Sequence, residues 1–543
     1  MNKTRSTLIL SALIVIAGAW AAWEMQLTAA TKAGGGIGPD VIVGAIPSVR
    51  RWGTTGGFTS YTIGTTSCNI GDERMDWIQN NNIHPVISQN LYRVQDGRIE
   101  MLGCSWLKHG FAVAAGSLCN QCTDPAGNYL GVGCSDPYGS SLNGNQGLLG
   151  PRSQVNASTG VFPYPHADLP QTGTLDGRIR VANSEIEPSQ NAGARYFVES
   201  EYIHPQDAAS GNSNNNASYR EAVFSSGGGG IQMGLTGITF REEPAINAWK
   251  QVHDDVRLFN VDIPDDGRVV VGIRTVPNGS GGFTTNVAVE NLTSHRAIRS
   301  LSMKFGSDTI SAPGFNDVEY QFEPYASTDW ASSINGDEIE WSAGTGEETA
   351  NAIRWSTMYS FWADADTCPS ELTLGILRPG TPTEVTLEIP ALPNPATGLN
   401  ISRGAQVGGS MTDVLESNDT YIRFNPGFTI SVDEAPVWLL FDTTVAGGVN
   451  SCLDFVVESQ ANTPGLTKTV ESFNWNTGQF EVIATAAESF NSDVVLTTDV
   501  SDNIENYVDS LGNVLSRVGW RKTGFTLFFP WEVRVDNVTW MNR

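Results

Sequence analysis

The sequence predicts a mainly β protein: a loop-rich, disulfide-stabilised N-terminal domain followed by two antiparallel β-sandwich domains of jelly-roll type. Three observations carry this. Charged residues make up only 17% of the 543-residue chain, against roughly 25% in ordinary soluble proteins, while 57 glycines and many Asn and Ser crowd its connecting segments. Short stretches of apolar/polar alternation recur through the second half with almost no helical periodicity. Five of the seven cysteines, Cys68, Cys104, Cys119, Cys122 and Cys134, fall in the first quarter. A chain of this length exceeds one ordinary core. Shifts in pattern divide it into a leader and spacer (1–33), a Cys-containing N-terminal domain (34–260), a β-sandwich (261–389), a Pro-rich linker (390–396) and a C-terminal sandwich (397–543).

The leader carries Lys3 and Arg5, then the apolar run "LILSALIVIAGAW" and small residues, the pattern of a secretory signal peptide ending near Ala21. The run is short for a membrane span, and no later segment is long and apolar enough. The mature chain is therefore expected outside the cytoplasm, secreted or at the cell surface, with no membrane span once the leader is removed. In that setting Cys68, Cys119, Cys122 and Cys134 are expected in disulfides; the alternative is a four-thiolate zinc site built from "LCNQC" with Cys68 and Cys134. Spacing leaves the pairing open, and seven is odd, so at least one thiol is unpaired or bridges to another chain.

In the first domain, "NLYRVQDGRIEML" reads as two strands around Asp96-Gly97, a dipeptide suited to a tight hairpin turn. Residues 131–165 hold so many Gly, Pro, Asn and Ser that they read as loop, stapled by the adjacent cysteines and by Tyr138, Phe162 and Tyr164. "SSGGGG" at 225–230 reads as a flexible loop, and Ala245–His253, following Pro244, as a short helix. From 261 the grammar changes. "RVVVGIRTV" and "FTTNVAVENL" flank the turn "PNGSGG"; "LSMKF" puts Leu301, Met303 and Phe305 on one face, and "ELTLGIL" does the same with Leu372, Leu374 and Ile376. Pro390, Pro393 and Pro395 then suggest a stiff linker. Beyond it, "ESFNWNTGQFEVIATA" is a hairpin around Asn476-Thr477-Gly478, and "WEVRVDNVTW" alternates Trp531, Val533 and Val535 against charged residues.

The chemistry is less legible. The balance of 32 basic against 58 acidic residues, a net charge of −26, repels a phosphate backbone and excludes nucleic acid as a natural partner. "SWLK", "SDN" and "KTG" occur in the order of serine β-lactamases, but Gly103 and Gly110 leave no room for the helix that places that serine and lysine one turn apart. No His-Glu zinc motif, P-loop or nucleophile elbow is present. The candidate catalytic set is His84, Arg93, Lys108, His109 and Asp136; on a strand, Lys108 and His109 face opposite sides, so only one can serve a given pocket. Against this stands the plainer expectation that both imidazoles donate to loop carbonyls and that Lys108 is solvated. Glu199 and Glu201, with His204 close by, form a carboxylate pair of glycosidase type; Asp262, Asp265, Asp266, Asp364 and Asp366 offer turn oxygens suited to Ca²⁺, but they match no EF-hand loop and the plainer expectation is solvated turn carboxylates with no cofactor. No other cofactor is implied. For binding, Trp475 beside its hairpin turn is the ring expected to be exposed to a ligand, whereas Trp531 alternates with core valines.

The stretches "GPDVIVG", "HPVISQNLYR", "SWLKHGF", "GVGCSDPY", "NAIRWSTMYSF" and "FPWEVRVDNVTW" resemble a group of secreted multidomain β proteins of planctomycete-type bacteria with a C-terminal jelly-roll module. The resemblance implies an exported β protein and carries no activity over to particular residues. The expected function is a secreted or cell-surface structural or binding protein whose last sandwich meets an extracellular glycan or surface protein. The alternative is a secreted hydrolase or lyase with its site in the N-terminal domain, which requires the five candidate side chains to converge at a cleft.

Overall fold

The computed structural model describes residues 37–306, 309–344, 348–431, 434–445, 452–501, 504–522 and 531–542; the predicted leader lies outside them. The fold is mainly β with antiparallel sheets, as the alternation predicts. The chain divides into two compact units. Of the described residues, the first holds those up to Leu91, Cys104–Gln190 and Tyr196–Asn247; the second holds Tyr92–Gly103, Asn191–Arg195 and those from Ala248 on.

The first unit is built on short sheets. Val41–Ala45, Thr65–Asn69 and Ser135–Tyr138 form one, and Ile179–Ala182, Phe58–Ile63 and Val49–Thr55 another. A larger sheet runs in the order Leu149–Gly150, Leu107–His109, Val86–Gln95, Arg195–Ile203, Ala217–Gly227 and Gly230–Phe240. The glycine run at 225–230 is therefore the tip of a hairpin rather than a flexible loop: its residues continue both strands, with Gly227 paired to Gly230. Disulfides Cys68–Cys119 and Cys122–Cys134 pin the loops, with Cys104 buried elsewhere. The aromatic staples divide. Tyr138 and Phe162 are buried, but Tyr164 is exposed, its hydroxyl reaching only Asn80 Oδ1 at 3.2 Å.

The second unit contains two sandwiches. In the first, a sheet ordered Arg257–Asp262, Arg268–Pro277, Phe283–Asn291, Thr357–Ala365, Ser311–Asn316 faces one ordered Ala331–Asn335, Glu338–Ser342, Ile298–Lys304, Glu371–Ile376, Glu384–Glu388. Trp341 of one sheet meets Phe361 of the other at 5.5 Å between ring centres. The hairpin tip Tyr92–Gly103 belongs here, with Asp96 and Gly97 both at positive φ as the turn demands; Ser360 Oγ donates to the Ile99 carbonyl at 2.5 Å. The helix Ile246–Val252 carries Trp249, whose indole donates to the Gly97 carbonyl at 3.1 Å.

The last sandwich pairs the sheet Ala405–Gly408, Ile422–Asn425, Val533–Asn542, Leu453–Ala461, Val494–Asp499 with the sheet Gly398–Arg403, Val437–Thr444, Asn513–Lys522, Leu466–Asn474, Gln479–Ala487. One apolar core joins them, including Phe441, Phe455, Trp520, Trp531 and Trp540. Within the predicted linker, Leu392–Pro395 is a strand paired to Val533–Asn542; proline is tolerated because this is a sheet edge. Inside the core Lys468 Nζ lies 3.5 Å from Glu488 Oε2, both side chains almost wholly buried, and the carboxylate also accepts from Ser459 and the Trp520 indole. A third disulfide joins Cys368 and Cys452. Three disulfides mark a chain that folds under oxidising conditions.

Candidate functional site

The strand Leu107–His109 pairs with Val86–Ile87 on one side and Leu149–Gly150 on the other, and it displays its two basic residues to opposite sides as its period requires. His109 faces an imidazole cluster. His84 Nε2 lies 3.0 Å from His109 Nδ1, and His84 Nδ1 lies 3.1 Å from the Ile78 carbonyl. A carbonyl only accepts, so His84 carries its proton on Nδ1, its Nε2 accepts from His109 Nδ1–H, and His109 Nε2 is left bare. Gly150 makes room for that nitrogen, since a Cβ there would lie 2.5 Å from it. His166 stacks face to face on His109, 3.9 Å between centres, and its buried Nδ1 has no partner. Stacked faces do not aim lone pairs at a common point, so the arrangement is not a metal shell.

Lys108 faces the other way and is fully buried. Nζ donates to the His109 carbonyl and sits over the rings of Phe111, at 4.8 Å, and Tyr138, at 5.1 Å. Asp136, on the strand Ser135–Tyr138, accepts from Ala114 N at 2.7 Å through Oδ1, while its buried Oδ2 has no partner. Burial dominates every titration here. It pushes His84 down to about 4 and His109 to about 2, the neighbouring cations adding to the effect. It brings Lys108 to about 7 against the pull of Asp136, and raises Asp136 to about 6.

Four of the five predicted residues therefore belong to the first unit, with His84 and His109 in contact on one side of the strand and Lys108 on the other. The exception is Arg93, which belongs to the second unit and there binds Glu100 at 2.6 Å and Asn191 at 3.0 Å. The expectation of a solvated Lys108 fails, because the residue lies inside a ring-lined pocket. His109 also departs from expectation by pairing with an imidazole instead of a carbonyl. The cluster is closed: His109, its most accessible member among the four, is only 5% exposed. A base with a value near 2 is also poorly matched to chemistry at neutral pH, so any proton transfer here falls to Lys108 and Asp136.

The other predicted chemistry residues have structural work. Glu199 accepts from Asn90 at 2.8 Å and from Ala245 N, ahead of the helix Ile246–Val252, at 2.6 Å; Glu201 is likewise buried. His204 bonds the Asp76 carbonyl and caps the helix Pro205–Ser210 through Gln206 N. Three of the five turn carboxylates named for Ca²⁺ are engaged: Asp262 by Arg268, Asp266 by Ser294 and two backbone amides, Asp364 by Thr284. Trp475 is half-buried rather than exposed, its indole donating to the Tyr507 carbonyl at 3.1 Å and its ring edge-on to Phe473.

Sequence reasoning missed a ring platform on the outer face of the second sheet of the last sandwich. Strand pairing sets Leu440, Arg517, Glu471 and Val482 in one row across it, with Trp438 opposite Gly519 and Phe473 opposite Phe480 in the flanking rows. A Cβ at Gly519 would lie 2.7 Å from Trp438 ring carbons, so the indole lies flat across that strand. The Arg517 guanidinium stands 4.8 Å from the Trp438 ring centre and 4.2 Å from that of Phe480, and bonds Glu471. The signal was the half-polar alternation of "VWLLFD" against "SRVGW", but only the register shows that the rings share a face.

No family model matches the chain, and no curated protein matches it. Among solved structures, a mutant of the carbohydrate-binding module CBM29-2 aligns with 26% of this chain and 91% of its own at 10% identity and a TM-score of 0.15. The protein SGBP-B from a xyloglucan utilization locus of Bacteroides uniformis aligns with 50% of this chain and 98% of its own at 12% identity and a TM-score of 0.19. Allantoicase from Saccharomyces cerevisiae aligns with 48% and 77% at 9% identity and a TM-score of 0.19. Likenesses this distant carry no argument about what the chain does. No helix among the described residues is long and apolar enough to cross a membrane.

Proposed function

We propose that this is an exported extracellular or cell-surface binding protein and that its last sandwich binds glycan on the Trp438 face. The observation behind the reading is the flat Trp438 ring lying across Gly519 beside the Arg517–Glu471 pair. A sugar ring offers an apolar C–H face to stack on an indole and vicinal hydroxyls to a guanidinium and a carboxylate, and this face supplies all three partners side by side. Trp475 and Phe473 extend the strip toward the turn. Three disulfides support the extracellular setting. The test is isothermal titration and affinity electrophoresis of the mature protein against a panel of soluble polysaccharides. Trp438→Ala is expected to weaken any binding at least tenfold, and Trp475→Ala less. A panel without a ligand, or a ligand held equally by Trp438→Ala, would sink the proposal.

A second reading, a hydrolase or lyase of the N-terminal unit, is favoured by the Lys108 and Asp136 values, which burial moves toward neutrality from opposite sides. It needs the closed cluster to open. A fluorogenic ester and glycoside screen in which Lys108→Met and wild type are equally inert would remove it.

A further inference from the structure

The last sandwich carries a second feature that is separate from the Trp438 face. Asp419 precedes the strand Ile422–Asn425, Asp493 precedes Val494–Asp499, and Asp536 lies within Val533–Asn542. Ile422 and Ser459 both pair with Val535, Ser459 also pairs with Val494, and Glu458 pairs with Asn537, so Asp536 is the extra residue of a bulge. Such a bulge re-aims its side chain out of the ladder, here toward the two strand starts. The three side chains each offer one carboxylate oxygen, all within 4.8 Å of one another. That is the spread reached by oxygens around one ion at Ca²⁺–O distances of about 2.4 Å.

Like charges gathered this way repel unless something neutralises them, and the surroundings do not. Asp536 is 0% exposed; its Oδ2 accepts from the backbone amides of Asn418 and Asp419 at 3.1 and 3.2 Å, while its buried Oδ1 has no partner at all. Asp493 repeats the pattern, with Oδ2 accepting from the Tyr421 hydroxyl at 2.6 Å and a buried, unpartnered Oδ1. Each carboxylate is thus held by one oxygen and bare at the other, which is how outer partners orient metal ligands. The arginines on these strands, Arg423 and Arg534, turn to Glu532 instead.

We propose that Asp419, Asp493 and Asp536 bind one Ca²⁺, the bare Oδ1 atoms of Asp493 and Asp536 being ligands. An all-oxygen, triply anionic set selects a hard cation over zinc or copper, and an extracellular protein meets Ca²⁺ at concentrations matching sites of about 0.1–1 mM affinity. The ion would clamp the 418–421 loop to the bulge.

The test uses the full mature chain stripped with EDTA. Tb³⁺, a Ca²⁺ mimic, should give saturable emission on excitation at the tyrosine band, because the Tyr421 phenol touches a ligand; Ca²⁺ should displace it, and Mg²⁺ only weakly. Asp493→Asn and Asp536→Asn should each weaken Tb³⁺ and Ca²⁺ at least tenfold, whereas Asp265→Asn, in a distant turn, should change nothing. Asp493 is the less buried of the two, so its variant serves if Asp536→Asn fails to fold by circular dichroism. Absent or unsaturable emission, displacement by Mg²⁺ as readily as by Ca²⁺, or unchanged affinity in Asp493→Asn would overturn the assignment.

Discussion

Replacing Lys108 by methionine should stabilise the N-terminal unit, and the gain should depend on pH in a defined way. Lys108 Nζ is wholly buried over two aromatic rings, and burial lowers its value from 10.5 to about 7. That drop corresponds to about 5 kcal/mol of unfavourable free energy for the charged amine in the folded state. Below pH 7 the whole cost is present. Between pH 7 and 10.5 the unfolded chain holds a proton that the folded chain has released, so wild-type stability rises with pH across that window. Methionine keeps the length of the stem and removes the amine, and the lost bond to the His109 carbonyl takes back about 1 kcal/mol. Equilibrium urea unfolding with disulfides intact should therefore show Lys108→Met more stable than wild type by about 4 kcal/mol at pH 6 and by little near pH 10. A variant that is less stable at pH 6, or a difference that ignores pH, would refute the reasoning.

Acid should weaken the same unit. Unfolded, His84, His109 and His204 take up protons near pH 6.5; folded, they do so only near 4, 2 and 3. Asp136 and Asp207 oppose this, because burial lets them keep protons up to about pH 6 and 7. The three imidazoles outweigh the two carboxyls by about one proton near pH 5, so stability should fall by about 1.4 kcal/mol per pH unit of acidification; a flat profile by urea unfolding contradicts the neutral cluster. In the last sandwich, Glu488→Gln strands the buried Lys468 and should cost about 3–5 kcal/mol, while the double variant Lys468→Met with Glu488→Gln recovers most of it; additive losses in the double-mutant cycle would show that the pair is not coupled. Replacing both Cys368 and Cys452 by serine opens a closure across 84 residues and should cost about 4.5 kcal/mol by loop entropy; a loss under 1 kcal/mol in urea would count against that account.

Local grammar made much of the fold legible. Asp96-Gly97 announced a turn because few residues other than glycine accept the backbone it needs, and alternation in "LSMKF" and "ELTLGIL" announced strands, since each alternate residue had to reach one core; that the two are neighbours came only with the structure. What needed long-range pairing stayed hidden. Nothing local links Cys68 to Cys119, and Pro393 and Pro395 read as a spacer because the strand that accepts them lies well over a hundred residues away. The chemistry was half visible. Strand periodicity separated Lys108 from His109, but not the fact that both sides of the strand are buried, which reverses the expectation for the amine. Asp419, Asp493 and Asp536 belong to no motif; only the sheet order gathers them.

The strand Val533–Asn542 is bonded to three others, Leu392–Pro395, Ile422–Asn425 and Leu453–Ala461, each of which is synthesised before it. As the chain emerges during synthesis, those earlier segments appear with bare ladder edges and wait for the keystone that will sit between them. Until it arrives they are sticky to one another and to other nascent chains. A ribosome stalled ahead of residue 533 thus leaves not a shorter version of this domain but an open one, the kind of product that quality-control proteases are placed to clear.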